Sequence, residues 1–213
     1  MRTVRAMHGH DWQRRATARL LDSAAVKRRT AELCAGQIAE AAAAIGDSLL
    51  AGGKLLLCGN GGSAADCQHI AAEFIGRLTP GRDRRAWPAI SLTANTSNLT
   101  AVGNDYGFEE IFSRQVEALG NKGDVLVVIS TSGRSANLLK AVEAGIEKEM
   151  LTIGLLGQGG GWLGELVNLA IIVPSDDVQR TQESHITIGH VICELVEEIL
   201  PVKKGEHADV VVG

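Results

Sequence analysis

His69 and Glu73 stand four residues apart in a stretch of helical character. On a helix that spacing sets both side chains on one face. There they can supply two ligands to one metal ion, or a ligand and a base. An ordinary solvated surface pair has the same spacing. Position favours chemistry, because the pair follows the first expected strand, near the end where open parallel sheets bind ligands. Histidines recur at 185 and 190, after Gln182-Glu183, in a helical stretch that opens at Gln179, where hydrogen-bonded core histidines are the plainer reading of each. Asn104-Asp105 is a polar pair expected in a loop, and an Asx-type turn would account for it.

Two further stretches are rich in groups that hold anions and hydroxyls. Cys58-Gly59-Asn60-Gly61-Gly62-Ser63-Ala64 follows a strand and opens a helix. Free backbone N–H groups at such a turn bind anions or sugar hydroxyls. It fits the loose dinucleotide pattern GxGxx[G/A], but a dinucleotide fold wants an acid at the end of the next strand. Here that strand ends Ser91-Leu92-Thr93-Ala94-Asn95, without one. A GK[ST] loop is lacking too. Ser130-Thr131-Ser132-Gly133-Arg134-Ser135 ends one strand and precedes a helix. Four hydroxyls and a glycine can surround a phosphate with O–H and N–H donors at a helix N-terminus. Capping alone would need one hydroxyl, such as Ser135.

The elements that must position these residues alternate. Strands are expected at 54–58, 89–93, 124–129, 151–155 and 169–173. Helices are expected at 63–78, 108–119, 135–148, near 162–166 and at 179–200. Strands separated by helices point to right-handed βαβ units and a parallel sheet. The fold class is therefore α/β: a five-stranded parallel sheet flanked by helices, a flavodoxin-like three-layer sandwich with N-terminal helices. Residues 1–10 are expected to be disordered or tag-like. Residues 11–53 are read as two helices broken near Asp22 to Ala25, residues 54–200 as the core with which they form one domain, and 201–213 as a tail.

Composition narrows the classes. Of 213 residues 25 are glycine and 3% are aromatic, which suits parallel α/β packing with tight strand-to-helix turns. A net charge of −4 argues against a general nucleic-acid binder. The apolar runs are short against the roughly 20 residues of a membrane span, and the N-terminus has no apolar core behind its basic residues. A cytoplasmic protein without membrane partners is expected. Cys34, Cys58, Cys67 and Cys193 form no CxxC pair, so buried reduced thiols are expected in place of a thiolate zinc site.

Taken in order, Gly59-Asn60-Gly61-Gly62-Ser63, His69-xxx-Glu73, Asn104-Asp105, Ser130-Thr131-Ser132-Gly133-x-Ser135 and Gln182-Glu183-x-His185-xxxx-His190 closely resemble the phosphoheptose (sedoheptulose 7-phosphate) isomerases of the sugar isomerase (SIS) domain superfamily. The resemblance runs from about residue 30 to 200. It implies conversion of D-sedoheptulose 7-phosphate to D-glycero-D-manno-heptose 7-phosphate, the first step towards ADP- or GDP-heptose. It implies one Zn2+ per subunit on His69, Glu73, Gln182 and His190, with Glu73 as base and His190 as acid. It implies substrate contacts from Asn60, Gly61, Gly62, Ser63, Glu73, Asn104, Asp105 and Gln182, and a phosphate held by Ser130, Thr131, Ser132 and Ser135. It also implies a homotetramer with active sites at subunit interfaces.

Moving a proton between two adjacent carbons needs a base, an acid and a means of stabilising the oxyanion, so the chemistry agrees. One spacing is awkward. Gln182 and His190 are about 12 Å apart along a continuous helix. Either Gln182 lies in an irregular first turn or the two serve a site from different subunits. The competing readings are a non-catalytic relative that binds the replication initiator, and a sugar-phosphate sensor. The initiator-binding relative lacks the full base, acid and metal set, and a sensor has no need of Glu73.

Overall fold

A computed structural model describes residues 3–201, with side chains from residue 11. The expected tail beyond Pro201 lies outside the described residues, as do the side chains of residues 1–10. Five strands form one parallel sheet in the order β2-β1-β3-β4-β5. They are β1 (Leu55–Gly59), β2 (Ala89–Ser91), β3 (Val125–Ser130), β4 (Leu151–Leu156) and β5 (Leu169–Ile172). The helices are α1 (Thr3–Leu50), α2 (Gly62–Ile75), α3 (Thr96–Asp105), α4 (Ser113–Leu119), α5 (Ala136–Glu147), α6 (Leu163–Leu166) and α7 (Val178–Ile199).

The two-residue period of a strand sorts the core into two layers. Leu55, Leu57, Val125, Val127, Ile129 and Ile153 face α1, α2 and α7. Leu56, Cys58, Leu126, Val128 and Leu156 face α4, α5 and α6. β1 and β3 are buried at every position, as strands covered on both faces must be. All four cysteines are buried and unpaired.

Three expectations need correcting. The N-terminal region is one helix, not two. Between residues 11 and 35 there is no glycine or proline to stop it. Ser23 inside the supposed break is buried and accepts from Lys27 Nζ at 2.8 Å, one turn on. Asn104-Asp105 closes a helix, α3, in place of a loop. Asn95 caps that helix by accepting from the Asn98 N–H. Residues 108–119 are a 3-10 turn at Phe108–Glu110 followed by α4, because Ile111 and Phe112 turn into the core between them.

By length and composition one stretch of α1 is apolar enough to cross a bilayer, which the short apolar runs did not suggest. One face of it is core: Val26, Cys34, Ile38, Ala41, Ala42, Ile45 and Leu49 are buried in the layer shared with α7. Gly46 brings α1 against Ile199, whose side chain would lie 3.1 Å from an added Cβ.

Candidate active site

The strand order makes the site. Chain connections leave β1 and β3 in opposite directions, so a crevice opens between their carboxyl ends, where open α/β sheets take ligands. The turn after β1 carries Asn60, Gly61 and Gly62. The turn after β3 carries Ser130 to Ser135. Both lead directly into helices whose N-caps, Gly61 and Ser135, make no side-chain capping hydrogen bond. By contrast, α3 and α7 are capped by Asn95 and Asp177. Ala64 and Leu138 donate back to the turns, and the N–H groups ahead of them, at Gly62 and Ser63 and at Ala136 and Asn137, face the crevice end with the positive end of a helix dipole behind them.

The two turns are tied to each other. Asn60 Nδ2 donates to Asn137 Oδ1 at 3.0 Å and Asn137 Nδ2 returns a bond to Asn60 Oδ1 at 2.9 Å. The Asn60 amide is therefore a strut between the loops. In the second loop Ser130 Oγ accepts from the Gly133 N–H at 3.0 Å and Ser132 Oγ from the Arg134 N–H at 3.3 Å. Ser130 is buried and shapes the turn. Thr131, Ser132 and Ser135 are partly exposed. Gly133 has φ +64°, and a Cβ there would meet the Gly160 carbonyl oxygen at 1.9 Å. Only glycine lets the loop lie this close to the backbone after β4.

α2 and α7 supply the titratable groups. They cross where Gly189 meets Ile70, at 2.6 Å from a Cβ built on the glycine. One residue on, His190 Nε2 lies 2.8 Å from His69 Nε2. Glu73 Oε1 lies 3.4 Å from the same His69 nitrogen. The rings meet edge to face, with centroids 5.0 Å apart. His69, Glu73 and His190 each offer a ligand atom, and these atoms lie within 4.8 Å of one another. Residues 121 apart in sequence thus converge on the i, i+4 pair.

Gln182 lies eight residues before His190 on the same helix. α7 is helical from Val178, so the irregular first turn is not present. The Gln182 amide reaches Asp66 Oδ2 at 3.5 Å and packs on Gly62, where a Cβ would be 2.6 Å from its Nε2. Asn104 and Asp105 are exposed and bond to each other, Nδ2 to Oδ1 at 2.7 Å. Ser63 is buried in the first turn of α2.

A family model described as SIS domain matches residues 21–157. The phosphoheptose isomerase of Rhodospirillum rubrum is 58% identical over 167 residues, 78% of this chain and 88% of that protein. This chain belongs to the phosphoheptose isomerases of the SIS-domain family. The solved phosphoheptose isomerase of Neisseria gonorrhoeae aligns with a TM-score of 0.83 at 42% identity, covering 88% of this chain and 99% of its own. That of Francisella tularensis gives 0.81 at 39%, covering 87% and 98%.

Three polar residues around the crevice and the histidine cluster carry little signal in the sequence. Asp66 is buried between Gln182 and the histidines. Burial pushes its carboxyl up, against the opposing pull of the Gln182 hydrogen bond and of His69 and His190. Its signal was the i, i+3 spacing to His69. Asn137 announced itself only as the second residue of α5. Arg84 lies in the connection after α2, a stretch with no periodicity. His185 is a fully buried core histidine, but neither ring nitrogen makes a hydrogen bond of normal geometry, and burial lowers its pKa to about 4.

Proposed function

We propose that this chain converts D-sedoheptulose 7-phosphate to D-glycero-D-manno-heptose 7-phosphate through an enediol, with Glu73 as base and His190 as acid. The observation that carries the reading is the meeting of Glu73 and His190 over His69 at the open end of the sheet. The Glu73 carboxylate takes the proton from C1 as the C1–C2 double bond forms, and His190 protonates the carbonyl oxygen at C2. The proton then returns from Glu73 to C2 while the C1 hydroxyl gives its own to the now neutral His190, leaving the aldehyde and both residues as they began. A carboxylate has two oxygens, so Oε1 directed at His69 leaves Oε2 for the proton.

Ser130, Thr131, Ser132 and Ser135, with the α5 N-terminus, would hold the 7-phosphate. Asn60, Gly61, Gly62 and Ser63 would line the sugar side of the crevice, and Asn104 and Asp105 would reach substrate from α3. Binding energy at the remote phosphate orients the reacting carbons. Gln182, eight residues before His190 on one unbroken helix, fits a site completed by a second subunit. This favours the homotetramer with active sites between subunits. In the cytoplasm the product would feed ADP- or GDP-heptose synthesis for surface glycans such as lipopolysaccharide.

Two imidazoles and a carboxylate are a usual donor set for Zn2+. Ligand nitrogens around a tetrahedral zinc lie about 3.3 Å apart. The 2.8 Å between His69 and His190 needs only a small rotation of the rings to reach this. His69, Glu73 and His190 would hold the ion, with Gln182 as the further ligand. When bound, zinc supplies a Lewis acid for the developing oxyanion.

Conversion of sedoheptulose 7-phosphate by the purified protein, after chelation and again with zinc restored, tests the reading. Turnover that follows zinc supports both parts. Turnover without zinc keeps Glu73 and His190 and removes the ion from the chemistry. A folded protein inactive in both states contradicts the proposal.

A further inference from the structure

We infer that Arg84, clamped by Glu197, is a positioning residue that holds the Glu73 carboxylate against His190. The inference rests on the reading of Glu73 as base. Helix α2 ends at Ile75, and the last carbonyls of a helix have no partner within it. Two of them are taken by one side chain. Arg84 Nη2 donates to the Glu73 carbonyl at 2.6 Å, and Nη1 donates to the Phe74 carbonyl at 2.8 Å. Nη1 also reaches the Arg85 carbonyl at 3.2 Å. The Trp87 N–H donates to the Phe74 carbonyl as well, at 3.1 Å. A cation at this negative end of the helix dipole suits the macrodipole.

The remaining nitrogen points to the other helix. Arg84 Nε donates to Glu197 Oε1 at 2.9 Å, and the same oxygen accepts from the Leu78 N–H at 3.1 Å. Only 2% of the Arg84 side chain and 4% of the Glu197 side chain are exposed. Burial alone would raise the Glu197 carboxyl, but the Leu78 N–H and Arg84 outweigh it and hold the group below the usual carboxylate range. Glu197 lies about two turns beyond His190 on α7. A single guanidinium thus ties the backbone of the proposed base to the helix of the proposed acid.

A buried ion pair by itself is a poor argument for stability, because desolvation cancels much of its attraction. What singles this one out is where its hydrogen bonds end: on the backbone of Glu73 itself. If the last turn of α2 frays, the carboxylate moves relative to His190. A misplacement of about 1 Å can cost about 100-fold in rate. Lysine keeps the charge but cannot serve the Glu73, Phe74 and Glu197 acceptors from one rigid plane.

The experiment compares wild type, Arg84→Lys, the paired Arg84→Met/Glu197→Leu and Glu73→Gln. It measures kcat, KM, the thermal midpoint and Co2+ binding to the metal-free protein by visible absorption. The paired variant removes both charges together, which buried pairs tolerate, and carries the test if Arg84→Lys does not fold. The expected result is a folded protein whose kcat falls about 10- to 100-fold, with KM within about threefold of wild type and Co2+ affinity weakened. A folded variant with wild-type kcat overturns the inference. So does a loss of kcat and KM together that merely tracks the thermal midpoint. Wild-type turnover in Glu73→Gln would overturn the assignment of the base instead, and so is told apart from failure of the clamp.

Discussion

Replacing Asn137 by alanine takes away one half of the strut between the two loops of the crevice. Asn60 and Asn137 exchange two hydrogen bonds, at 3.0 and 2.9 Å. Each is worth about 0.5–1.5 kcal/mol net, so the pair holds the loops together by about 2 kcal/mol. Asn60 is partly exposed and its amide can rehydrate, which limits the penalty for leaving it unpaired. Asn137 is buried in the first turn of α5, and truncation there leaves no new buried polar group of its own. The loss therefore falls on the alignment of the Gly61-Gly62 turn with the Ser130–Ser135 loop. Realised in substrate binding, about 1–2 kcal/mol is a drop of about 5- to 30-fold in kcat/KM. The assay is steady-state conversion of sedoheptulose 7-phosphate by wild type, Asn60→Ala, Asn137→Ala and the double variant. Because the two residues contact each other, the double variant should lose little more than either single one. A kcat/KM within twofold of wild type for Asn137→Ala, or strictly additive losses, would refute the strut.

Two further outcomes follow from backbone and burial. Gly133→Ala places a methyl group 1.9 Å from the Gly160 carbonyl oxygen at φ +64°. It should cost at least about 2 kcal/mol of stability and weaken phosphate binding. Gly61→Ala, at φ +56° and ψ −120° with nothing within 4 Å of its Cβ, should cost only the backbone strain of about 1–3 kcal/mol and no steric clash; a Gly133→Ala midpoint no lower than that of Gly61→Ala would contradict the close approach. His185 is held neutral by burial, with its pKa lowered from 6.5 to about 4, and the Leu156 backbone offsets only part of this. Below pH 6.5 the unfolded chain takes up a proton that the folded one refuses. Stability from this residue is thus present above pH 6.5 and is lost as pH falls towards 4, by about 3 kcal/mol in all. His185→Leu should flatten that part of the stability profile measured by denaturant unfolding, and an unchanged slope would count against it.

Much of this architecture is legible because its signals are local. β3 reads from the run Val125 to Ser130, buried on both faces, and the expected strand at 124–129 differs by one residue at each end. His69 and Glu73 read from helical spacing alone. α3 leaves no apolar period in the sequence because none of its residues is buried; its local signal is the Asn95 cap. α1 was divided because Asp22 and Ser23 resemble a break, although Ser23 instead packs inward. The partners of the site were the least legible. Asn137 meets Asn60 across 77 residues, and Arg84 meets Glu197 across 113. Such pairs carry no spacing rule, since each is set by how β1, α2 and α7 pack. Gln182 shows the opposite case: the resemblance gave it a role, whereas its eight-residue spacing to His190 along a continuous helix suggests none by itself.

The most direct test of the whole account is Glu73→Gln. The amide keeps the volume of the side chain and removes its basicity. Turnover of sedoheptulose 7-phosphate and affinity for it should be measured on the same folded protein. With Glu73 as base, kcat should fall about 10²- to 10⁴-fold, with substrate affinity within a few-fold of wild type. Turnover at the wild-type rate would contradict that role.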